Sequence, residues 1–129
     1  MKKIISKIEI RFNDVDIYGH INNAIYLSYL EQARISFFNE LIGKDHNWME
    51  EGIIVANVNI NYLKPIVFGQ YIIGEVWLDE IGNKSFKLAY KLYQNDVEMS
   101  NATTTMVCMN FIERKSIAFP EKWKKIFYS

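Results

Sequence analysis

The hydrophobic period of this chain changes twice. Ile8, Ile10 and Phe12 alternate with Lys7, Glu9 and Arg11, the period of two that predicts a strand with one buried face. A polar loop over residues 13–22 follows. From Asn23 to about Ile42 the apolar positions Tyr26, Leu30, Ala33, Phe37 and Leu41 recur at helical spacing, and Leu27 and Phe38 widen the stripe. This predicts a hydrophobic helix of about twenty residues. Asn22 or Asn23 is placed to cap it by accepting from a free amide of the first turn, and Gly43 is placed to stop it.

The rest of the chain returns to period two. Val58, Ile60 and Tyr62 alternate with Asn57, Asn59 and Asn61, and Pro65 and Gly69 punctuate the exit. Residues 71–81 form the next predicted strand, and Gly82-Asn83 a hairpin turn. Phe86, Leu88, Tyr90 and Leu92 then alternate with Lys87, Ala89, Lys91 and Tyr93. Asn95-Asp96 marks another tight turn. Val97 to Ile112 reads as a long, bent or bulged final strand. Phe119 to Phe127 reads as a short helix with Pro120 in its first turn. One long helix and five mostly antiparallel strands make an α+β layer structure, in which the sheet wraps the helix so that both bury their apolar faces. The sheet's other face and its edges then need cover, which favours oligomers. One domain over residues 1–129 accommodates every element.

Composition narrows the function classes. Half of the 129 residues are hydrophobic and 15% are aromatic, which excludes a disordered chain. Fifteen Lys plus Arg balance fifteen Asp plus Glu, which disfavours a general nucleic-acid binder. The start Lys2-Lys3-Ile4-Ile5 is broken by Ser6, Lys7 and Glu9 before a signal-peptide core forms. No apolar run approaches the roughly 18 residues of a membrane span. The expected location is therefore the cytoplasm, with no membrane partner. Cys108 is the single cysteine, reads as core, and leaves no intrachain disulfide. His20, His46 and Cys108 form no metal-ligand spacing. A serine-hydrolase elbow, a P-loop and a dinucleotide fingerprint are all missing. Neither a metal nor a cofactor is expected.

The chemistry-bearing stretch is Asp14-Val15-Asp16-Ile17-Tyr18-Gly19-His20-Ile21-Asn22-Asn23, running into Tyr26 and Glu31-Gln32-Ala33-Arg34. It places two carboxylates, a glycine, a histidine and two asparagines at the entrance of a buried helix. Unpaired amides at a helix N-terminus stabilise anions, including the oxyanion of an attacked carbonyl. A nearby carboxylate attacks a carbonyl or activates water. Gly19 allows a tight turn or a close ligand. The same residues also read as Asx-turns and helix caps. Glu31 and Arg34 stand three residues apart, a spacing that allows an ion pair.

Taken with Arg11-Phe12-Asn13, Tyr26-Leu27 and Glu31-Gln32-Ala33-Arg34, the Asp-x-x-Gly-His-x-Asn segment resembles the hotdog-fold thioesterases, most closely the 4-hydroxybenzoyl-CoA thioesterase-like acyl-CoA thioesterases. Tyr62-Leu63-Lys64-Pro65 with Gly69, Ala102-Thr103-Thr104-Thr105-Met106-Val107 and Phe119-Pro120-Glu121 extend the likeness over nearly the whole chain. The resemblance implies a hotdog fold, in subunits that pair their sheets into homodimers and often homotetramers. It implies hydrolysis of an acyl-CoA, or of an acyl carrier protein thioester, to a free acid. Asp16 matches the catalytic aspartate, as nucleophile or general base, and the Asn23 backbone amide matches the oxyanion donor. His20 and Asn22 match the motif without a fixed role. Asp14 reads as a loop-shaping residue. Tyr18, Gly19, Tyr26, Tyr29 and Tyr62 are candidate substrate walls, and Lys64, Lys84, Lys87, Lys91 and Arg114 candidate phosphate partners. A non-catalytic acyl-CoA-binding module and an acyl-thioester dehydratase share the scaffold.

Overall fold

The elements run β1 (Lys3–Ile8), α1 (Tyr26–Leu41), β2 (Gly52–Tyr62), β3 (Ile72–Ile81), β4 (Ser85–Gln94), β5 (Val97–Asn110), β6 (Lys115–Ser116) and α2 (Glu121–Tyr128). This computed structural model describes residues 2–128; residues 1 and 129, the ends of the expected domain span, lie outside the described residues. The strands form one sheet in the order β1-β3-β4-β5-β2, with every pairing antiparallel, and β6 joins at the end of β5. The alternation along β3, β4 and β5 buries Val76, Leu78, Leu88, Tyr90, Ala102 and Met106 in one cluster with Leu30, Ala33 and Phe37 of α1. The sheet wraps the helix as expected. At Gly74 a Cβ would lie 3.2 Å from the Ala33 Cβ and 3.1 Å from Ile8 Cδ1. Two small residues thus let α1 settle close to β3.

The helix boundaries follow the caps. Asn22 is the N-cap, its Oδ1 accepting from the Ala24 N–H at 3.3 Å, and Asn23–Ile25 form a 3-10 turn before α1. Gly43 has φ +96° and its N–H donates to the Phe38 carbonyl at 3.2 Å, the left-handed stop expected at this position. The buried stripe is Tyr26, Tyr29, Leu30, Ala33, Phe37 and Phe38. Leu27, expected to widen it, is instead exposed, and Leu41 is half-buried.

Several expected boundaries move, each for a local reason. β1 covers Lys3–Ile8 and buries Ile4 and Ile8, whereas Phe12 lies in a 3-10 turn (Phe12–Asp14) and is 80% exposed. The Asp14 carboxylate draws in the Arg11 N–H and guanidinium there, so the strand does not continue. β2 starts at Gly52 because a bulge at Ala56 shifts the register, so that Ile53 and Val55 share the inward side of Val58, Ile60 and Tyr62. The β3–β4 turn centres on Asn83 and Lys84, with the Gly82 N–H donating to the Ser85 carbonyl at 2.7 Å. Asn95 (φ +53°) and Asp96 (φ +63°) form the tight β4–β5 turn. The last long strand is bulged near Met99 but ends at Asn110, and the chain then turns into the unforeseen β6. Pro120 precedes α2, and its carbonyl accepts from the Trp123 N–H at 3.0 Å.

Cys108 is fully buried on β5, and burial pushes its thiol up to about 11. The native protein is therefore expected to resist alkylation at mildly alkaline pH and to react only in denaturant. Equal labelling of native and denatured protein, read by mass spectrometry, would contradict that burial.

Candidate active site

The polar loop is held by Asp14. This carboxylate is 1% exposed and accepts from Tyr29 Oη at 2.7 Å, the Arg11 N–H at 3.0 Å and the Arg11 guanidinium at 3.1 Å. Its backbone carbonyl accepts from the Asn22 N–H at 2.9 Å. One residue thereby ties the loop after β1, the helix entrance and the first turn of α1 together. Burial alone would raise its carboxyl, but the hydrogen bonds from Tyr29 and Arg11 outweigh that and hold it below the ordinary 3.8. Burial, reinforced by the same contact with Asp14, pushes the Tyr29 hydroxyl far up, so it stays a donor.

A carboxyl depressed on folding stabilises the native state above its unfolded value and stops doing so as pH falls through its folded value. Stability should therefore fall as the solution is acidified below about pH 4. Asp14→Asn should be less stable at neutral pH and flatter across that acid window, by thermal melts against pH. An unchanged acid limb would mean that Asp14 does not carry it.

Asp16 sits at the base of a tight hairpin tip. Its N–H donates to the His20 carbonyl at 2.8 Å, and its own carbonyl accepts from the Gly19 N–H at 3.1 Å. Gly19 turns the tip with φ +78°, a backbone conformation that suits glycine. Asp16 Oδ1 accepts from the N–H groups of Tyr18 at 2.9 Å and His20 at 3.1 Å. Among the described residues, Asp16 Oδ2 has no partner, and the side chain is exposed. The expected Asx-turn is thus present, and it orients the carboxylate while leaving one oxygen free. The β2–β3 connection clamps the tip: the Ile21 N–H donates to the Ile66 carbonyl at 2.8 Å, and His20 pairs with Val67.

The helix entrance supplies an unpaired amide. The Ala24 N–H goes to the Asn22 side chain, and the Ile25 N–H to the Asn22 carbonyl at 2.9 Å. Among the described residues the Asn23 N–H has no acceptor. Tyr62 Oη donates to the Asn23 carbonyl at 3.2 Å, bringing the end of β2 to the same place. Tyr26 stacks edge-on against Tyr62 with ring centroids 4.8 Å apart. Tyr26 is buried, with its hydroxyl accepting from the Ile66 N–H at 3.3 Å, so it backs Tyr62 and offers no free wall. Tyr29 is likewise committed to Asp14, whereas Tyr18 and Tyr62 are exposed.

The other candidates disperse. Lys87 pairs with Glu80, and Lys91 with Glu98. The Lys84 carbonyl meets the Cys108 N–H, and Arg114 follows the far end of β5. Lys64 lies two residues past Tyr62, and its N–H donates to the Met99 carbonyl at 3.1 Å. Arg34 does not pair with Glu31; its guanidinium donates to Tyr90 Oη at 3.2 Å. Among the described residues, no three His, Cys, Asp or Glu side chains are grouped to hold a metal, and no helix is long and apolar enough to cross a membrane. Gln94 was not foreseen. It is 3% exposed and clamps Val67 with both ends of its amide, at 3.1 and 2.8 Å. The signal is its position: Gln94 continues the inward register of Phe86, Leu88, Tyr90 and Leu92.

Residues 10–127 match the model of the thioesterase-like superfamily. The chain is 31% identical over 119 residues to the long-chain acyl-CoA thioesterase FadM of Escherichia coli, covering 88% of each chain. It is 23% identical over 124 residues to the acyl-CoA thioesterase YbgC of Haemophilus influenzae, covering 94% of this chain and 91% of that one. A Thermus thermophilus thioesterase crystallised with coenzyme A and Zn superposes with a TM-score of 0.86 at 28% identity, over 97% of both chains. A thioesterase-like protein from Pseudomonas aeruginosa superposes at 0.83 with 28% identity, over 94% of this chain and 95% of that one. With its long helix in a curled antiparallel sheet, the chain belongs to the thioesterase-like superfamily and has the hotdog fold.

Proposed function

We infer that the protein is an acyl-CoA thioesterase, with Asp16 as the catalytic carboxylate and the Asn23 N–H as oxyanion donor. One observation carries the assignment: a carboxylate oxygen and a helix-entrance amide, both without partners among the described residues, are presented by one loop that Asp14 locks. Acting as general base, Asp16 takes a proton from water, and the oxygen bonds to the thioester carbonyl carbon. The negative charge on the carbonyl oxygen is met by the Asn23 N–H. The C–S bond then breaks, and the CoA sulfur leaves with the proton. Acting as nucleophile, Asp16 Oδ2 bonds to the carbonyl carbon and the C–S bond breaks to release the CoA thiolate; water then cleaves the mixed anhydride to free acid and the Asp16 carboxylate. The Asn22 side chain serves as the cap that fixes the Asn23 amide. His20 holds the tip through its backbone and offers its ring to the thioester.

Tyr18, Gly19 and Tyr62 form the exposed wall of the site, with Tyr26 behind, and Lys64 is placed to meet CoA phosphate. β2 is a sheet edge with exposed Ile54, Val55, Val58 and Tyr62. Such an edge supports pairing with the β2 of a second copy into a homodimer, and of dimers into a homotetramer. The reading is of one hotdog domain over residues 1–129, working in the cytoplasm.

Hydrolysis in 18O-enriched water tests the reaction type. The expected products are free CoA and free acid in equal amounts, with water oxygen incorporated over repeated turnovers. A double bond introduced into an intact acyl-CoA, or transfer to another acceptor, would contradict it.

A further inference from the structure

A hollow of about 420 Å3 lies between α1 and β2, walled by Phe38, Trp48, Ile53 and Phe111, with Glu31 and Arg34 on its helix side. Tyr62, at one end of β2, touches Asn23 at the helix entrance. Ile53, at the other end of β2, lines the hollow with Phe38. Strand and helix therefore run side by side from the proposed oxyanion site to the hollow. Leu27 and Val58 lie exposed along the way. Glu31 follows Asn23 by eight residues, about 12 Å along a helix axis. A short or single-ring acyl group anchored at Asp16 ends before the hollow, whereas a long chain reaches it.

The polar groups on the helix side are unusual for a hydrocarbon pocket. Arg34 is half-buried, and one of its N–H groups goes to Tyr90 Oη, which is locked to Thr104 Oγ1 at 2.6 Å. Among the described residues neither Arg34 nor Glu31 has an ion-pair partner. A partly desolvated guanidinium without a counter-charge costs free energy unless something supplies an acceptor. Arg34 only donates and Glu31 only accepts. A hydroxyl satisfies both and a methyl neither, whereas a carboxylate satisfies Arg34 but is repelled by the exposed Glu31.

We propose that this hollow receives the far end of a long acyl chain, and that Arg34 and Glu31 select a chain carrying a hydroxyl there. The proposal rests on the thioesterase reading and names its substrate class.

The test uses three acyl-CoAs of one chain length, long enough to span the about 12 Å from Asn23 to Glu31, ending in methyl, hydroxyl or carboxylate. The wild type is expected to show a kcat/KM about tenfold higher for the hydroxyl-ended than for the methyl-ended ester, with the carboxylate-ended ester below the hydroxyl-ended one. Arg34→Met should abolish the hydroxyl preference, and Arg34→Lys should keep part of it. Calorimetric binding of the three free acids should show the same order without any turnover. Equal kcat/KM values in the wild type, or a preference that survives Arg34→Met, overturn the proposal. So does a changed oligomeric mass in Arg34→Met and Glu31→Gln with the preference intact, since those side chains then belong to a contact between copies. If no ester is hydrolysed but the hydroxylated acid binds best through Arg34, the thioesterase reading fails and the hollow's assignment stands.

Discussion

Asp16→Asn is expected to lower kcat for acyl-CoA hydrolysis at least about a hundredfold, the scale of losing a general base, with little change in KM. The substitution keeps the side-chain size and the Oδ1 acceptor that takes the Tyr18 and His20 amides. The hairpin tip should therefore keep its shape. What disappears is the free carboxylate oxygen, which alone can take a proton from water or attack the carbonyl. A fall in kcat at constant KM marks an interaction made in the transition state. An equal loss in Asp14→Asn would have another origin, because that carboxylate is buried and its three donors are inside the protein. Thermal melts separate the two: Asp16→Asn should melt near the wild type, and Asp14→Asn should melt lower.

Trp123→Ala carries the largest expected stability effect, about 3–5 kcal/mol, or a melting point lower by on the order of 10 °C or more. Trp123 is fully buried where α2 closes one end of the core. Its ring lies 5.7 Å from Phe119, 5.9 Å from Trp48, 6.2 Å from Phe127 and 6.4 Å from both Phe38 and Phe86. Truncation leaves a void that rigid aromatic neighbours cannot fill. The indole Nε1 is buried without a hydrogen-bond partner among the described residues, so part of the native residue's gain is already offset. Trp123→Phe should accordingly cost much less than Trp123→Ala in chemical denaturation. Equal costs would mean that filling the space among the aromatic neighbours does not carry the stability.

Strict alternation and helical spacing made most of the fold legible. The α1 stripe from Tyr26 to Phe38 and β4 up to Leu92 could be read because their inward positions are apolar. Boundaries were lost where a single hydrogen-bonding side chain overrides the pattern. Asp14 ends β1 before Phe12, and the Ala56 bulge hides the start of β2 in the apolar run Gly52-Ile53-Ile54-Val55. The loop motif pointed to Asp16 and the helix entrance, but not to how they are held. That depends on the Tyr29–Asp14 and Gln94–Val67 contacts, between residues 15 and 27 positions apart. Gln94 was the more readable of the two, as a polar residue in an inward register. Glu31 and Arg34 misled, because helical spacing permits a pair that Tyr90 removes by taking the guanidinium.

The central claim is that the Asp16 loop hydrolyses the thioester it binds. The most direct measurement follows thiol release and equilibrium binding in the same samples of wild-type protein, across acyl-CoAs of increasing chain length. The account predicts that the esters which bind are cleaved catalytically, releasing many equivalents of thiol per protein. Saturable binding with no thiol released would contradict it and make the protein an acyl-CoA-binding module on a thioesterase scaffold.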